Sequence, residues 1–163
     1  MERDEKSLRI SLLCLISAVV IGTGPSPAFT FPAIRPLSEM VQKAEFIVIG
    51  EIVKMEKIGM TFSGGKVAEY RATIEVERTI KGDPSTKTLQ IAAALDFSDS
   101  PPIAVGQRSV YFLYSSEGRL RILGMGGEIP ITDDIIKPRW ITGEPKEQEL
   151  DEFLDRIRGY LAK

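Results

Sequence analysis

The side chains able to do chemistry in this 163-residue chain are few, and what is missing narrows the field first. There is no histidine, which removes the commonest metal ligand and the one side chain that ordinarily titrates near neutrality. The single cysteine, Cys14, lies in an apolar run near the N-terminus. The rest of the chain therefore has no thiol for disulfides, zinc–thiolate coordination or nucleophilic catalysis. Asp96, Asp99, Asp133 and Asp134 are the residue type that surrounds calcium, but no calcium-loop motif joins them, and they read as solvated turn carboxylates. No carboxylates sit in a context recognisable for acid–base work, and nothing singles out a serine for Ser–Lys catalysis. Gly124-Met125-Gly126-Gly127 lacks both the phosphate-loop ending and the dinucleotide spacing, so it reads as a bulge or sharp corner. Ser63-Gly64-Gly65-Lys66 has no earlier glycine at phosphate-loop spacing and reads as a hairpin tip. The expectation is no catalytic residue, no metal site and no cofactor.

Recognition is what remains. If the first long strand runs on to Phe62, Met60 and Phe62 lie close to the hairpin tip, where apolar side chains have little core to enter and can mark a contact site. The competing reading folds them back over the barrel mouth. Trp140, in the loop Lys137-Pro138-Arg139-Trp140, is the third candidate, with sealing of the C-terminal helix as its structural alternative.

These residues need a scaffold, and the composition is that of an ordinary globular one: 43% hydrophobic and 27% charged, with a net charge of −2. Such a balance gives no bulk field for nucleic acid or an anionic membrane. Arg3, Lys6 and Arg9 precede the uncharged run Ile10–Gly22, and Thr23-Gly24-Pro25-Ser26-Pro27-Ala28 follows it. The run is too short to span a bilayer and has the length of a signal-peptide core. Small residues at Ser26 and Ala28 predict cleavage before Phe29. Glu2, Asp4 and Glu5 dilute the positive charge, which leaves an uncleaved anchor as the alternative. Residues 1–28 thus read as a signal peptide, and the protein as exported, extracellular or in the cell envelope (periplasmic if the source has an outer membrane).

Residues 29–36, with two prolines, predict an extended lead-in. Ser38 is placed to cap a short helix carrying Met40, Val41 and Ala44 on one side. From Glu45 to Val53 the chain is apolar on both faces, as in a strand buried in a covered sheet. Over Val67–Ile80 the alternation is clean: Tyr70, Ala72, Ile74 and Val76 point inward, Arg71, Thr73, Glu75 and Glu77 outward. Thr86–Ala93, Arg108–Tyr114 and Arg119–Leu123 supply three more strands, the last two joined through Ser115-Ser116-Glu117-Gly118. Glu128–Thr132 is a short last strand that Pro130 confines to an edge. Pro145 suits the first turn of a C-terminal helix whose Leu150, Phe153, Leu154, Ile157 and Leu161 form one stripe.

The expected fold is mainly β: an OB-like five-stranded barrel over 37–143, with a short N-terminal helix and a C-terminal amphipathic helix over 144–163 packed on it. Three strings carry a resemblance. Leu37 to Val53 resembles the opening, Val76-Glu-Arg-Thr-Ile-Lys-Gly82 the end of the second strand and Val105-Gly-Gln-Arg-Ser-Val-Tyr-Phe-Leu113 the fourth strand of exported bacterial proteins with a TIMP-like barrel (tissue inhibitor of metalloproteinases). The resemblance implies that barrel. The inhibitors act through a mature N-terminal cysteine on the protease zinc, which has no counterpart in a chain starting near Phe29. The expected function is a non-catalytic, disulfide-free binding module for a protein of the cell envelope or exterior, with no nucleic acid ligand and no stable membrane insertion after cleavage. The alternatives are a protease inhibitor acting by surface contact and, third, a hydrolase.

Overall fold

The computed structural model describes residues 34–62, 66–95, 104–124 and 126–163, without the side chains at 60–62, 66–67 and 94–95. The signal segment, the lead-in up to residue 33, the tip at 63–65 and Asp96, Asp99 and Met125 lie outside the described residues. In chain order the elements begin with β1 (Arg35–Pro36), α1 (Leu37–Lys43), β2 (Phe46–Phe62), β3 (Lys66–Lys81) and β4 (Thr88–Leu95). They continue with β5 (Arg108–Ser116), β6 (Arg119–Ile122), β7 (Glu128–Thr132), β8 (Ile135–Ile136), β9 (Ile141–Thr142), β10 (Gln148–Glu149) and α2 (Leu150–Leu161).

Strands β5, β2, β3, β4 and β6 pair in that order, and β6 pairs back onto β5, so the sheet closes into a five-stranded barrel. All pairings in the ring are antiparallel except β4 with β6, which meet in parallel at Ile91 and Leu120. This is the closed five-stranded barrel expected from the sequence. The interior is filled by Val48 and Ile52 from β2, Ala72, Ile74 and Val76 from β3, Leu89 and Ile91 from β4, and Tyr111 and Leu113 from β5, all buried. Gly50 sits in the same row because β2 and β3 approach too closely there for a side chain: a Cβ would strike the Glu75 carbonyl.

A second core lies on the outside of β2 and β5. There Ile47, Ile49, Val110 and Phe112 meet Leu37, Met40 and Val41 of α1 and Leu150, Phe153, Leu154 and Ile157 of α2. The rings of Phe112 and Phe153 stack edge to face, 6.4 Å apart at 72°. The apolar run over Phe46–Gly50 is thus two half-strands of core, one facing each way, which is why it shows no polar alternation.

Four local expectations are corrected. Ser38 does not cap α1; Pro36 occupies that position because β1 pairs in parallel with β9 and runs straight into the helix. The other end of α1 is closed from a distance, where Lys81 Nζ donates to the carbonyls of Val41 at 2.8 Å and Ala44 at 2.5 Å. Pro130 does not make β7 an edge strand, since β5 pairs on one side and β8 on the other. The β8 ladder reaches only Ile131 and Thr132, so Pro130 itself is spared a second neighbour. Pro145 precedes α2 rather than opening it, because Gln148–Glu149 first pair with β8. The buried stripe of α2 ends at Ile157, and Leu161 is exposed.

Strands β6 and β7 act as one interrupted strand against β5. Ile122 pairs with Leu113 and Glu128 with Tyr111, so Leu123, Gly124, Gly126 and Gly127 bulge out opposite the single residue Phe112. Leu123 N–H donates to the Phe112 carbonyl at 2.9 Å and Phe112 N–H to the Gly127 carbonyl at 2.7 Å. The glycine cluster is a bulge at the barrel seam, as its sequence suggested.

Candidate functional site

Pairing between β2 and β5 stops at Glu51, whereas β2 and β3 stay paired to Phe62 and Lys66. Strand β4 accompanies β3 as far as Ala68. The result is a three-stranded arm that continues the barrel wall past its closure. Its backbone carries Met60 and Phe62 at the far end, in register with Ala68 and Lys66. The side chains of Met60 and Phe62 lie outside the described residues.

The arm is braced from its outer face. Glu69, Arg71, Thr73, Glu75 and Glu77 occupy the outward row of β3, as period two requires. Glu69 is reached across β4 by Arg119 of β6 at 2.9 Å and by Arg121 at 3.8 Å. Ala92, on the outward row of β4, is buried, and its short side chain leaves the arginines room to reach. Glu117, in the β5–β6 turn, adds a contact to Arg121 at 3.6 Å. The bracing therefore joins two hairpins, β2–β3 and β5–β6, at the loops that OB-folds commonly use for binding. The sequence signal for it was the alternation Arg119, Arg121 on one short strand, which only the ring order connects to Glu69.

Glu77, on the same row, is paired as well. Arg108 grips Glu77 with two hydrogen bonds, at 2.6 and 2.9 Å, and reaches Asp134 at 2.9 Å. This holds the Glu77 carboxyl below its usual range, the arginine hydrogen bond being the main cause. Asp133 and Asp134 form a two-residue turn with positive φ, 52° and 57°, and Asp134 is committed to Arg108. No cluster of potential metal ligands occurs among the described residues. The outward rows of β3 and β4 carry no aromatic side chain among the described residues.

Trp140 is half-buried and outside both core clusters. Its carbonyl faces Gly126, where a Cβ would stand 3.2 Å away. It is thus near the glycine bulge and is not brought to the arm by any pairing of the strands.

Sequence reasoning passed over one polar cluster altogether. Ser109 and Tyr111, alternate residues on β5, are fully buried. Ser109 Oγ donates to Glu128 Oε1 at 3.3 Å, and the Tyr111 hydroxyl is buried without a hydrogen-bond partner. Burial pushes the Glu128 carboxyl up to about 7, against a smaller downward pull from Ser109. Burial also raises Tyr111, helped by the negative charges of Glu128 and Glu51 and opposed by the neighbouring Ser109 hydroxyl.

Fold and site together define a class, an OB-like barrel with a filled interior and a braced external arm. No protein-family model matches the chain, and no curated protein matches it.

Proposed function

We propose that this chain is an exported, non-catalytic module that binds a protein of the cell envelope or exterior through the far end of its β2–β3 arm. The observation that carries this reading is the filled barrel: Ile52, Ile74, Tyr111 and Leu113 are all fully buried in its interior, so a ligand is met by the outside of the molecule. A substrate site ordinarily needs a concave pocket with converging polar groups. The arm supports the reading as well, because the Glu69–Arg119 contact gives it a fixed base from which Met60 and Phe62 extend. Export rests on the leader-like residues 1–28, and the TIMP-like resemblance belongs to the same reading.

The test is direct binding. A partner captured by the wild-type protein from the native envelope is purified, and its affinity is measured for wild type and for the double variant Met60→Ser, Phe62→Ser. The expected result is a loss of about tenfold or more, the size of one or two apolar contacts removed from an interface. Equal affinity would remove the arm as the site. A panel of secreted proteases run beside it separates the inhibitor alternative, which requires inhibition by the wild-type chain.

A further inference from the structure

The β2–β3 arm has a second property, one that shares its location with the binding reading but does not depend on the partner. Beyond Glu51, strand β2 has β3 on one side only. Gly106 N–H still donates to the Ile52 carbonyl at 2.9 Å, but a turn closed by Gln107 N–H on the Ala104 carbonyl takes that chain away. From Lys54 to Phe62 the other edge of β2 has no backbone partner among the described residues. Such an edge presents a row of N–H and C=O groups to any strand that fits it.

The two halves of this edge differ. The near half is guarded: Lys54, Glu56 and Lys57 are exposed, and Lys57 stands opposite Tyr70 on the inward row, where a charge deters indiscriminate pairing. The far half, Ile58-Gly59-Met60-Thr61-Phe62, has neither charge nor proline. Ile58 is exposed although large and apolar.

A second copy of the same edge fits one register best. Antiparallel pairing about a two-fold axis places one residue opposite its own copy. Centres nearer the barrel than Glu56 run into Gly106 beside Ile52. Centred on Glu56 or Lys57, the pairing sets like charges face to face, and centred on Ile58 it sets the two Lys57 residues on a diagonal. Centred on Gly59, it draws Lys57 into the ladder opposite Thr61. Centred on Met60, the ladder holds only Ile58 to Phe62, with Ile58 opposite Phe62 twice, a β-branched residue facing an aromatic one. The other copy's barrel then lies beyond the tip of the first arm.

We propose that the unguarded end of β2, Ile58–Phe62, is a self-association edge: two copies of this chain join antiparallel about an axis at Met60, so that one sheet runs through both arms. A partner that takes the same end must displace the second copy.

Cysteine trapping on the full chain tests the register. In a Cys14→Ser background there is no other native thiol. Mild oxidation of Met60→Cys is then expected to give a disulfide-linked dimer, because facing residues of an antiparallel pair lie about 4.5–5.5 Å apart, within disulfide reach. Lys57→Cys is the control: its two copies stand about 20 Å apart along the strands and are expected to link about tenfold less or weaker still. Adding Ile58→Lys to Met60→Cys puts a charge in the ladder and is expected to remove the dimer. Equal linking of Met60→Cys and Lys57→Cys, no linking of Met60→Cys, or a dimer that survives Ile58→Lys overturns the proposal. Sedimentation of the wild-type chain gives a second readout independent of any substitution: its mass is expected to rise with concentration, and the mass of one chain up to about 1 mM, the weak end of specific association, also overturns it. A chain that binds its partner through Met60 and Phe62 yet never links through Met60→Cys keeps the binding reading and loses this one.

Discussion

At the scale of single residues, the seam depends on places where a side chain cannot be. A Cβ on Gly127 would stand 2.6 Å from the Leu123 nitrogen and 2.7 Å from the Ile122 side chain, so the bulge folds back on itself only because that position is bare. Gly127→Ala is expected to destabilise the protein by about 1–3 kcal/mol, the usual cost of overpacking a closed site. Urea denaturation of wild type and variant would measure it; an unchanged midpoint would mean the bulge relaxes freely. The sequence showed the glycines and their grouping. It could not show that they lie opposite Phe112, because that depends on the pairing of strands β5, β6 and β7.

At the scale of elements, α2 is held by its stripe more than by its ends. Its N-cap residue, Glu149, makes no side-chain capping bond, while Phe153 is fully buried against Phe112. Phe153→Ala is therefore expected to cost about 3–5 kcal/mol, as for other large aromatic truncations in a core, read as a drop in thermal midpoint with loss of helical circular dichroism. The elements were legible where period decides. The alternation of β3, the two-faced run of β2 and the apolar stripe of α2 all came from residue spacing. The short pairings β1, β8, β9 and β10 were not legible, since two-residue ladders have no period and arise only after the long elements have brought distant segments together. The Ser109–Tyr111–Glu128 cluster escaped for a related reason. Its members look like ordinary strand residues until β7 is laid beside β5.

At the scale of the whole molecule, the titrating groups oppose one another. Glu39, Glu45, Glu56, Glu77 and Asp83 are held below their usual range, chiefly by hydrogen bonds from Lys43, Ser115, Lys54, Arg108 and Ser85 respectively. Their stabilisation is present above their unfolded values and is lost as pH falls through the folded ones. Glu128 runs the other way. With its folded value raised from 4.5 to about 7, its favourable contribution is complete below 4.5 and is lost as pH rises towards 7. Stability is expected to peak at about pH 5 and to decline towards pH 8. In Glu128→Gln the decline should flatten, with a gain of about 1–3 kcal/mol at pH 8. Denaturant titrations across that range would show it, and parallel curves for the two proteins would contradict it.

The two-sided burial of β2 and β5 has a consequence for how the molecule comes apart. Ile47 and Ile49 belong to one core, Val48 and Ile52 to the other, on the same few residues of backbone; Phe112 and Tyr111 repeat the arrangement on β5. Neither core keeps its wall if the other melts. The helical layer and the barrel interior are therefore one cooperative unit of unfolding, and strain introduced beneath α2 is felt inside the barrel through two shared strands.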